Sequence, residues 1–457
     1  MATGSEADSK SRHGMWSSRW LFILAAAGSA VGLGNIWKFP YIVGENGGGA
    51  FVLLYLVCVA VVGIPIMMAE VLIGREGRQS PINTMRQLIR KHNRNPLWVL
   101  IGWAGVLAGF LILSYYVVIA GWSLFYIWQM ASGALNGATG EQADQLFADF
   151  LAHPWQLILW QTLFMVLTVF IISRGVVAGL ETAIRWFMPM LFVLLLLLLG
   201  YAVTSDGWSQ GVDFMFGFDF ASLGPDAVLI ALGQAFFTLS LGMGAIMAYG
   251  AYLPADASIG KSVIIIAGLD TMVAIAAGLA IFPIVFANGL ESGQGVGLMF
   301  VTIPLAFGQM PFGALFGTIF FVLVSFAAIT SAISISEPAL AYIVEEYNAK
   351  RSRVAISLGV ICWLLGIGTV LSFNEWAEFH IVGELTYFDF VDYVSQNIML
   401  PLGGMFIALF AGWGLPKTVV GAQLGISDGP LAVCWKILCG VIAPAAVLAV
   451  FLGTFLG

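Results

Sequence analysis

The stretch GSAVGLGN at residues 28–35 decides the fold. It places three glycines and an asparagine in the middle of an apolar run, where an ordinary helix would hold leucine or alanine. A second stretch, SLGMG at 240–244, interrupts another apolar run in the same way. An unwound segment in hydrocarbon exposes peptide groups, and this is tolerated only around a protected cavity. Two such breaks in corresponding positions predict a transporter site near the middle of the bilayer.

The alternative is that these glycines serve close helix packing, since glycine-rich faces are common in membrane bundles. A single interrupted stretch would leave the two interpretations even. Two stretches, about 210 residues and five spans apart, favour two broken helices.

The composition is that of an integral membrane protein. Of 457 residues, 60% are hydrophobic and only 9% are charged, too little charge to cover a soluble protein of this length. Because backbone groups in lipid must bond within their own segment, the long apolar blocks predict an all-α fold of about eleven transmembrane helices. The predicted spans are 16–40, 47–74, 97–131, 155–173, 178–203, 226–254, 259–288, 312–347, 353–374, 388–414 and 430–456.

The basic residues orient this arrangement. They fall on one side of it, at Lys10, Arg12, Arg19, Arg75, Arg78, Arg86, Arg90, Lys91, Arg94, Arg174, Arg185, Lys261, Lys350, Arg351, Arg353 and Lys417. The opposite loops, near 132–153, 205–225, 289–311 and 375–387, contain no lysine or arginine. The positive-inside rule makes the basic side, with the N-terminus, cytoplasmic. The basic 75–94 loop is also compatible with a nucleic-acid patch, but a cytoplasmic flank explains the whole pattern and no nucleic-acid partner is expected.

The N-terminus carries no recognisable leader. Its first 15 residues are polar, and the first apolar run is too long and too interrupted for the core of a signal, so we expect no cleavable signal peptide.

A few polar side chains lie inside the predicted spans. Asp270 in span 7 is a costly carboxylate that a bound cation would keep ionised; the alternatives are a wet helix end or a protonated acid. The hydroxyls of Thr330 and Ser331 are hard oxygen ligands suited to an alkali cation, although they can also bond back to their own helix. No nucleotide-binding loop, catalytic triad or metal motif is recognisable, so we expect neither an enzyme nor an ATP-driven pump.

Several motifs resemble the neurotransmitter:sodium symporter family, and within it the bacterial amino acid transporters. They are AVGLGNIWKFPY at 30–41, ENGGGAF at 45–51, GIP at 63–65 with Glu70 and Gly74-Arg75, and GQAFFTLS at 233–240. The similarity runs over roughly 16–415. It implies one transporter domain over 1–457: a five-plus-five inverted repeat with helices 1 and 6 broken, repeats at about 16–203 and 226–414, and an extra helix at about 430–456. It also implies sodium-driven symport of amino acids by alternating access, in a bacterial inner membrane.

The resemblance also implies a set of site residues. One sodium site would use Ala30, Asn35, Thr238 and Asp270 with the substrate carboxylate. The second would use Gly28, Val31 and Ala327 with Thr330 and Ser331. The substrate would contact Ser29, Ala30, Leu33, Gly34, Ile112, Tyr116, Phe237, Thr238, Ser240, Met243, Ser331 and Ile335.

Departures from the family pattern refine these expectations. Gly32 stands where monoamine transporters carry an aspartate, which favours an amino acid substrate. Asp270 stands where many relatives have asparagine, so a fixed charge would replace chloride and no chloride is expected. Met243, an adaptable side chain between two glycines, favours a bulky hydrophobic or aromatic amino acid. The alternatives are a small or non-standard amino acid, or a channel or sensor built on the same fold.

Two gates complete the predicted mechanism. Lys38 replaces the arginine usual at the outer gate, and its partner would be Asp389 or, second, Asp392. Lysine lacks the two-pronged fork of arginine, so this gate is expected to be looser. At the inner gate, Trp16 with Arg12 or His13 would close against Glu345, with Tyr252 nearby.

Overall fold

The computed structural model describes residues 16–224, 226–290, 297–426 and 429–456. Within them, nine helices are long and apolar enough to cross a membrane, a bent pair gives a tenth span, and a broken pair between spans 5 and 7 gives an eleventh. In chain order, spans 1 to 11 are Arg19–Ala30 with Gly34–Glu45, Gly49–Gly77, Pro96–Ala131, Pro154–Ser173, Ala178–Val203, Ala227–Thr238 with Ala245–Ala251, Ile259–Ala287, Gly313–Tyr347, Arg351–Ser372, Tyr387–Gly414 and Pro430–Ala449. The all-α fold of about eleven spans is confirmed.

Shorter helices connect the spans. They are Pro81–Lys91, Gly140–Ala152, Trp208–Phe216, Leu298–Gln309 and Lys417–Leu424. In the described residues, extended pairing is confined to one isolated bridge between Val382 and Leu385.

Span 1 is broken where the glycines predict it. Its two halves meet at 51°, and the helix that ends at Ala30 resumes at Gly34. The Asn35 side-chain oxygen accepts the Gly32 N–H at 3.1 Å, which satisfies a peptide group that the helix no longer bonds. The sequence therefore supplies both the interruption and the side chain that stabilises it.

Span 6 is broken over a longer segment. The helix ends at Thr238 and resumes at Ala245, and Gly242 and Gly244 between them have φ values of +82° and +75°. A Cβ on Gly242 would lie 2.3 Å from the Leu400 carbonyl oxygen, so only glycine fits here. Glu70, buried in span 2, accepts the Gly242 N–H at 2.6 Å. This acid thus satisfies a buried peptide group that the broken helix leaves without a helical partner.

Span 8 forms the centre of the bundle. It packs along span 3 and also contacts spans 1, 4, 5 and the second half of span 6. Its middle, from Ala327 to Ser336, is buried on all faces, so small and hydroxyl side chains dominate there. This packing sets span 8 against the break of span 1.

The basic residues meet on one face of the molecule. Arg86 pairs with Glu346 at the end of span 8 (3.1 Å), and Arg94 donates to the Gly414 carbonyl at the end of span 10 (2.5 Å). Arg75, at the end of span 2, donates to the Ala257 carbonyl before span 7 (2.5 Å). Loops that the sequence assigns to the same side of the membrane are therefore in contact.

Candidate functional site

A cavity lies where the two breaks face spans 3 and 8. It is narrow, with a volume of about 20 Å³, so the side chains that line it nearly fill it. It is lined by Ser29, Ala30, Gly32, Leu33, Gly34, Ile112, Tyr116, Phe237, Ser240, Met243, Ser331 and Ile335. Every residue predicted to contact substrate lines this cavity except Thr238, and Gly32 joins the set.

One end of the cavity is polar. The Tyr116 hydroxyl lies beside the Leu33 amide and the Ser331 hydroxyl, yet it is buried with no well-formed hydrogen bond to any described residue. A Cβ on Gly32 would approach the Ser331 oxygen to 2.4 Å and the Tyr116 oxygen to 3.3 Å. Glycine therefore leaves open the space beside an unsatisfied donor, which suits a small anionic group.

The other end is apolar. Ile112, Phe237, Met243 and Ile335 line it, and Met243 is 2% exposed. The Phe237 ring closes over the span 1 break, since a Cβ on Gly34 would lie 3.0 Å from its edge. A zwitterion with a hydrophobic side chain matches this division into a polar and an apolar end.

Asp270 lies at the centre of a buried polar cluster. Its carboxylate accepts from Asn35 Nδ2 at 2.8 Å and from Thr238 Oγ1 at 3.0 and 3.1 Å, so three residues predicted for one sodium site are together. Tyr55 of span 2 donates to the same carboxylate at 3.4 Å. Sequence reasoning missed Tyr55, whose signal was a phenol within the otherwise apolar first half of span 2.

A second oxygen-rich cluster joins spans 1 and 8. Gly28 faces Thr330, and a Cβ on Gly28 would lie 3.4 Å from the threonine Cβ. Thr330 Oγ1 donates to its own helix at the Ala327 carbonyl (2.9 Å), which is the alternative raised from the sequence. Ser331 Oγ donates across to the Ser29 carbonyl at 3.2 Å. Val31 is the first residue after the helix of span 1 ends, and it is fully buried.

The predicted partner of the outer lysine is wrong. Asp389 accepts from the Thr386 hydroxyl at 2.7 Å and from its N–H at 3.2 Å, so it caps its own helix. Lys38 instead donates to Gln396 Oε1 at 2.6 Å, and Gln396 bonds onward to the Asp392 carboxylate.

The outer chain of contacts covers the cavity. The Lys38 ammonium lies 4.4 Å from the centre of the Phe237 ring. Gln396 also bonds the Tyr115 hydroxyl at 3.0 Å, which ties the chain to span 3. The second alternative, Asp392, is therefore the acid on this side, and Gln396 is a member that sequence reasoning missed.

The described members of the predicted inner gate are Trp16, Tyr252 and Glu345. Trp16 is 2% exposed, donates its indole N–H to the Tyr249 carbonyl at 3.2 Å and packs edge-on against Tyr249 and Tyr252. Glu345 accepts from the Ser80 backbone at 2.9 Å, and this is not its only contact. Trp16 thus packs against the second half of span 6, with Tyr252 beside it as predicted. Arg12 and His13 lie outside the described residues.

A buried ion pair lies below the cavity, on the same side as Trp16. Glu337 of span 8 pairs with Arg351 at 2.5 Å and accepts from the Tyr252 hydroxyl at 3.0 Å. This links span 8, the start of span 9 and the second half of span 6. The sequence pattern did not indicate that Glu337 and Arg351 pair.

Two broken helices around a buried cavity in an eleven-span bundle define a secondary transporter. The model of the Sodium:neurotransmitter symporter family matches residues 13–144 and 142–455, and the chain belongs to this family. It is 40% identical over 440 residues to the uncharacterized sodium-dependent transporter YhdH of Bacillus subtilis, covering 96% of each chain. It is 32% identical over 444 residues to an uncharacterized sodium-dependent transporter of Haemophilus influenzae, covering 96% of this chain and 97% of the relative.

A solved structure has the same fold. The crystal structure of MhsT in complex with L-phenylalanine matches with a TM-score of 0.90 and 44% identity, over 97% of this chain and 100% of MhsT. The family assignment made from the motifs is confirmed, and the chain is a sodium-dependent membrane transporter.

Proposed function

We propose that the chain imports a bulky hydrophobic or aromatic L-amino acid together with sodium, by alternating access. The observation that carries this proposal is the cavity between the two breaks, with an unsatisfied tyrosine hydroxyl at one end and apolar side chains at the other. The complex of MhsT with L-phenylalanine, at 44% identity, supports the same substrate class.

The substrate carboxylate would meet the Tyr116 hydroxyl and the amides of Leu33 and Gly34. A buried donor left without a partner is costly, so a carboxylate that accepts from Tyr116 would gain binding energy at little rearrangement. The ammonium group would meet carbonyls around Ala30 and Phe237. The side chain would then lie against Met243 and Ile335.

Two sodium sites would lie beside the substrate. The first would use the Ala30 carbonyl with Asn35, Thr238 and Asp270, and would be completed by the substrate carboxylate. Thr238 now donates to Asp270, and turning its hydroxyl would offer a lone pair to the cation. Because substrate and sodium would complete each other's shells, each would bind more tightly with the other present.

The second sodium site would lie between spans 1 and 8. It would use the carbonyls of Gly28, Val31 and Ala327 and the hydroxyls of Thr330 and Ser331. The Thr330 hydroxyl would turn its proton away from the Ala327 carbonyl, leaving both oxygens for the ion. A cation here would hold span 1 against span 8.

Chloride would not be required. The fixed charge of Asp270 supplies the negative charge that an exchangeable anion would bring, and its carboxylate lies 2.8 Å from a predicted sodium ligand, Asn35. Because the Asp270 carboxylate would balance the charge of sodium, no chloride ion would be needed to do so.

Both sides of the cavity are closed, as alternating access requires of an occluded state. Lys38, Gln396 and Asp392 close the outer side above Phe237. Trp16 closes the inner side on Tyr249. Import would follow from opening one side at a time.

The chain would act as one transporter domain in a bacterial inner membrane. Its repeats would be 16–203 and 226–414, with 430–456 as an extra helix. The contacts among basic loops support a single basic face, which the positive-inside rule assigns to the cytoplasm together with the N-terminus.

The test is uptake of radiolabelled L-phenylalanine into proteoliposomes that contain the purified full-length protein. We expect accumulation with an inward sodium gradient, none with potassium in its place, and competition by leucine, tryptophan or tyrosine. Gly32→Val, which fills the polar end of the cavity, is the control and should abolish uptake. Phenylalanine uptake that is the same with potassium as with sodium would overturn the proposal. So would uptake that glycine alone inhibits.

A further inference from the structure

A groove on the basic side of the molecule shares no lining residue with the cavity between the two breaks. It lies between the end of span 10, the short helix Lys417–Leu424 and the start of span 11, and has a volume of about 360 Å³. Its walls are largely apolar, with Leu415, Val420 and Val433 among them. Such a groove at the end of two spans opens where lipid headgroups meet acyl chains.

Two lysines line this apolar groove. Lys417 is exposed at the start of the short helix, and Lys436 lies six residues into span 11, about 9 Å along the helix axis. Neither forms an ion pair with a described residue; the Lys436 ammonium lies 4.2 Å from the centre of the Trp413 ring. Within the part of the chain that the structure describes, both charges therefore lie beside the apolar groove without an ion-pair partner.

A third group points to a ligand independently. Trp435 lines the groove and is only 6% exposed, yet its indole N–H has no hydrogen-bond partner among the described residues. A buried indole donor normally finds an acceptor. By contrast, the indole of Trp413 donates to the Gly440 carbonyl at 2.9 Å.

The wall of the groove is held in place. Gln423 of the short helix accepts from Arg75 at 2.5 Å and donates to Glu76 at 2.7 Å, both at the end of span 2. The groove is therefore a built feature of the fold and not the result of a loosely attached helix.

We propose that this groove binds one anionic glycerophospholipid of the leaflet on the basic side. The phosphate accepts from Trp435 and lies between Lys417 and Lys436, while the acyl chains cover Val420 and Val433. Basic pockets between membrane helices on the cytoplasmic side suit such headgroups. A second groove, between spans 3 and 10, has no charged side chain in its lining and offers no comparable headgroup contact.

Native mass spectrometry of the full-length protein, with equimolar phosphatidylglycerol and phosphatidylcholine of matched chains, tests this proposal. We expect one phosphatidylglycerol to be retained in preference. Each lysine near an anionic headgroup is worth roughly fivefold in affinity, so Lys417→Gln with Lys436→Gln should weaken retention about 25-fold. Trp435→Phe keeps the ring, removes only the donor, and should weaken retention about tenfold.

Two control variants distinguish the charge in the groove from charge elsewhere on the same face. Lys436→Arg keeps the charge and should keep the lipid, and Lys350→Gln removes an equal charge from another loop of the same face and should change nothing. Sodium-dependent phenylalanine binding verifies that each variant is folded. Equal retention of both lipids by the unmodified protein, or a double variant that matches Lys350→Gln, would overturn the proposal. The proposal would also be overturned if inorganic phosphate were retained as well as phosphatidylglycerol. A lipid-free dimer that the double variant abolishes would overturn it too.

Discussion

Replacing Asp270 with asparagine removes one negative charge from the cavity while keeping the shape of the side chain. The carboxylate accepts from Asn35 at 2.8 Å, from Thr238 at 3.0 Å and from Tyr55 at 3.4 Å. An asparagine oxygen can still accept from Asn35, and the two hydroxyls can rotate to accept from its amide. We therefore expect Asp270→Asn to fold normally and to bind sodium weakly.

The size of the effect follows from the charges. A sodium ion and a carboxylate about 4 Å apart attract by roughly 4 kcal/mol at an effective dielectric constant of 20. About half of this is offset because the sodium ion must lose its solvation on entering the site. The remaining ~2 kcal/mol corresponds to a sodium affinity about 30-fold weaker in the variant.

Sodium titration of radiolabelled phenylalanine binding measures this change, with gluconate replacing chloride in parallel samples. The unmodified protein should be indifferent to chloride, whereas Asp270→Asn should need more sodium and recover partly when chloride is added. Asp389→Asn is the matched control, because its carboxylate caps an outer helix and should leave the sodium dependence unchanged. A chloride requirement in the unmodified protein, or an unaltered titration of Asp270→Asn, would refute the reasoning.

Three further variants test other parts of the site. Tyr116→Phe removes a hydroxyl that forms no well-formed hydrogen bond to a described residue, so phenylalanine affinity should fall about 10- to 100-fold with no loss of thermal stability; a lower Tm at unchanged affinity would contradict this. Gln396→Ala breaks the outer chain of contacts and should speed phenylalanine dissociation about fivefold, measured by isotope dilution; an unchanged rate would remove Gln396 from the gate. Glu337→Gln leaves Arg351 unpaired and should destabilise the protein by about 3 kcal/mol in thermal unfolding, whereas Glu346→Gln, at an exposed pair, should cost under about 1 kcal/mol; equal losses would argue against a structural role for the buried pair.

The sequence predicted what depends on local pattern. Span 8 was expected at 312–347 and runs from Gly313 to Tyr347, because a long apolar block has only one way to cross a bilayer. Both breaks were predicted because glycines and polar groups are costly in a plain membrane helix. The residues that line the cavity followed from family motifs anchored to those breaks.

The hydrogen-bond and ion-pair partners of side chains could not be predicted from the sequence as well as the spans and their breaks. Asp389 and Asp392 lie three residues apart on one short helix, so spacing alone does not say which faces Lys38. Thr386 with Asp389 forms a capping box, and recognising it would have assigned that acid to its own helix end. Gln396, Tyr55 and the partner of Glu337 depend on contacts between spans, which no local pattern encodes.

The Ser29 carbonyl oxygen receives two hydroxyls, from Ser240 in the span 6 break at 2.9 Å and from Ser331 in span 8 at 3.2 Å. Spans 1 and 6 are thereby tied to each other and to their scaffold through a single atom. If span 8 parts from span 1, the Ser331 hydroxyl loses its acceptor in a dry interior, which costs about 1–3 kcal/mol unless water replaces it. Water must therefore enter between spans 1 and 8 as they separate. An interface whose opening depends on hydration in this way resists a leak to both compartments at once.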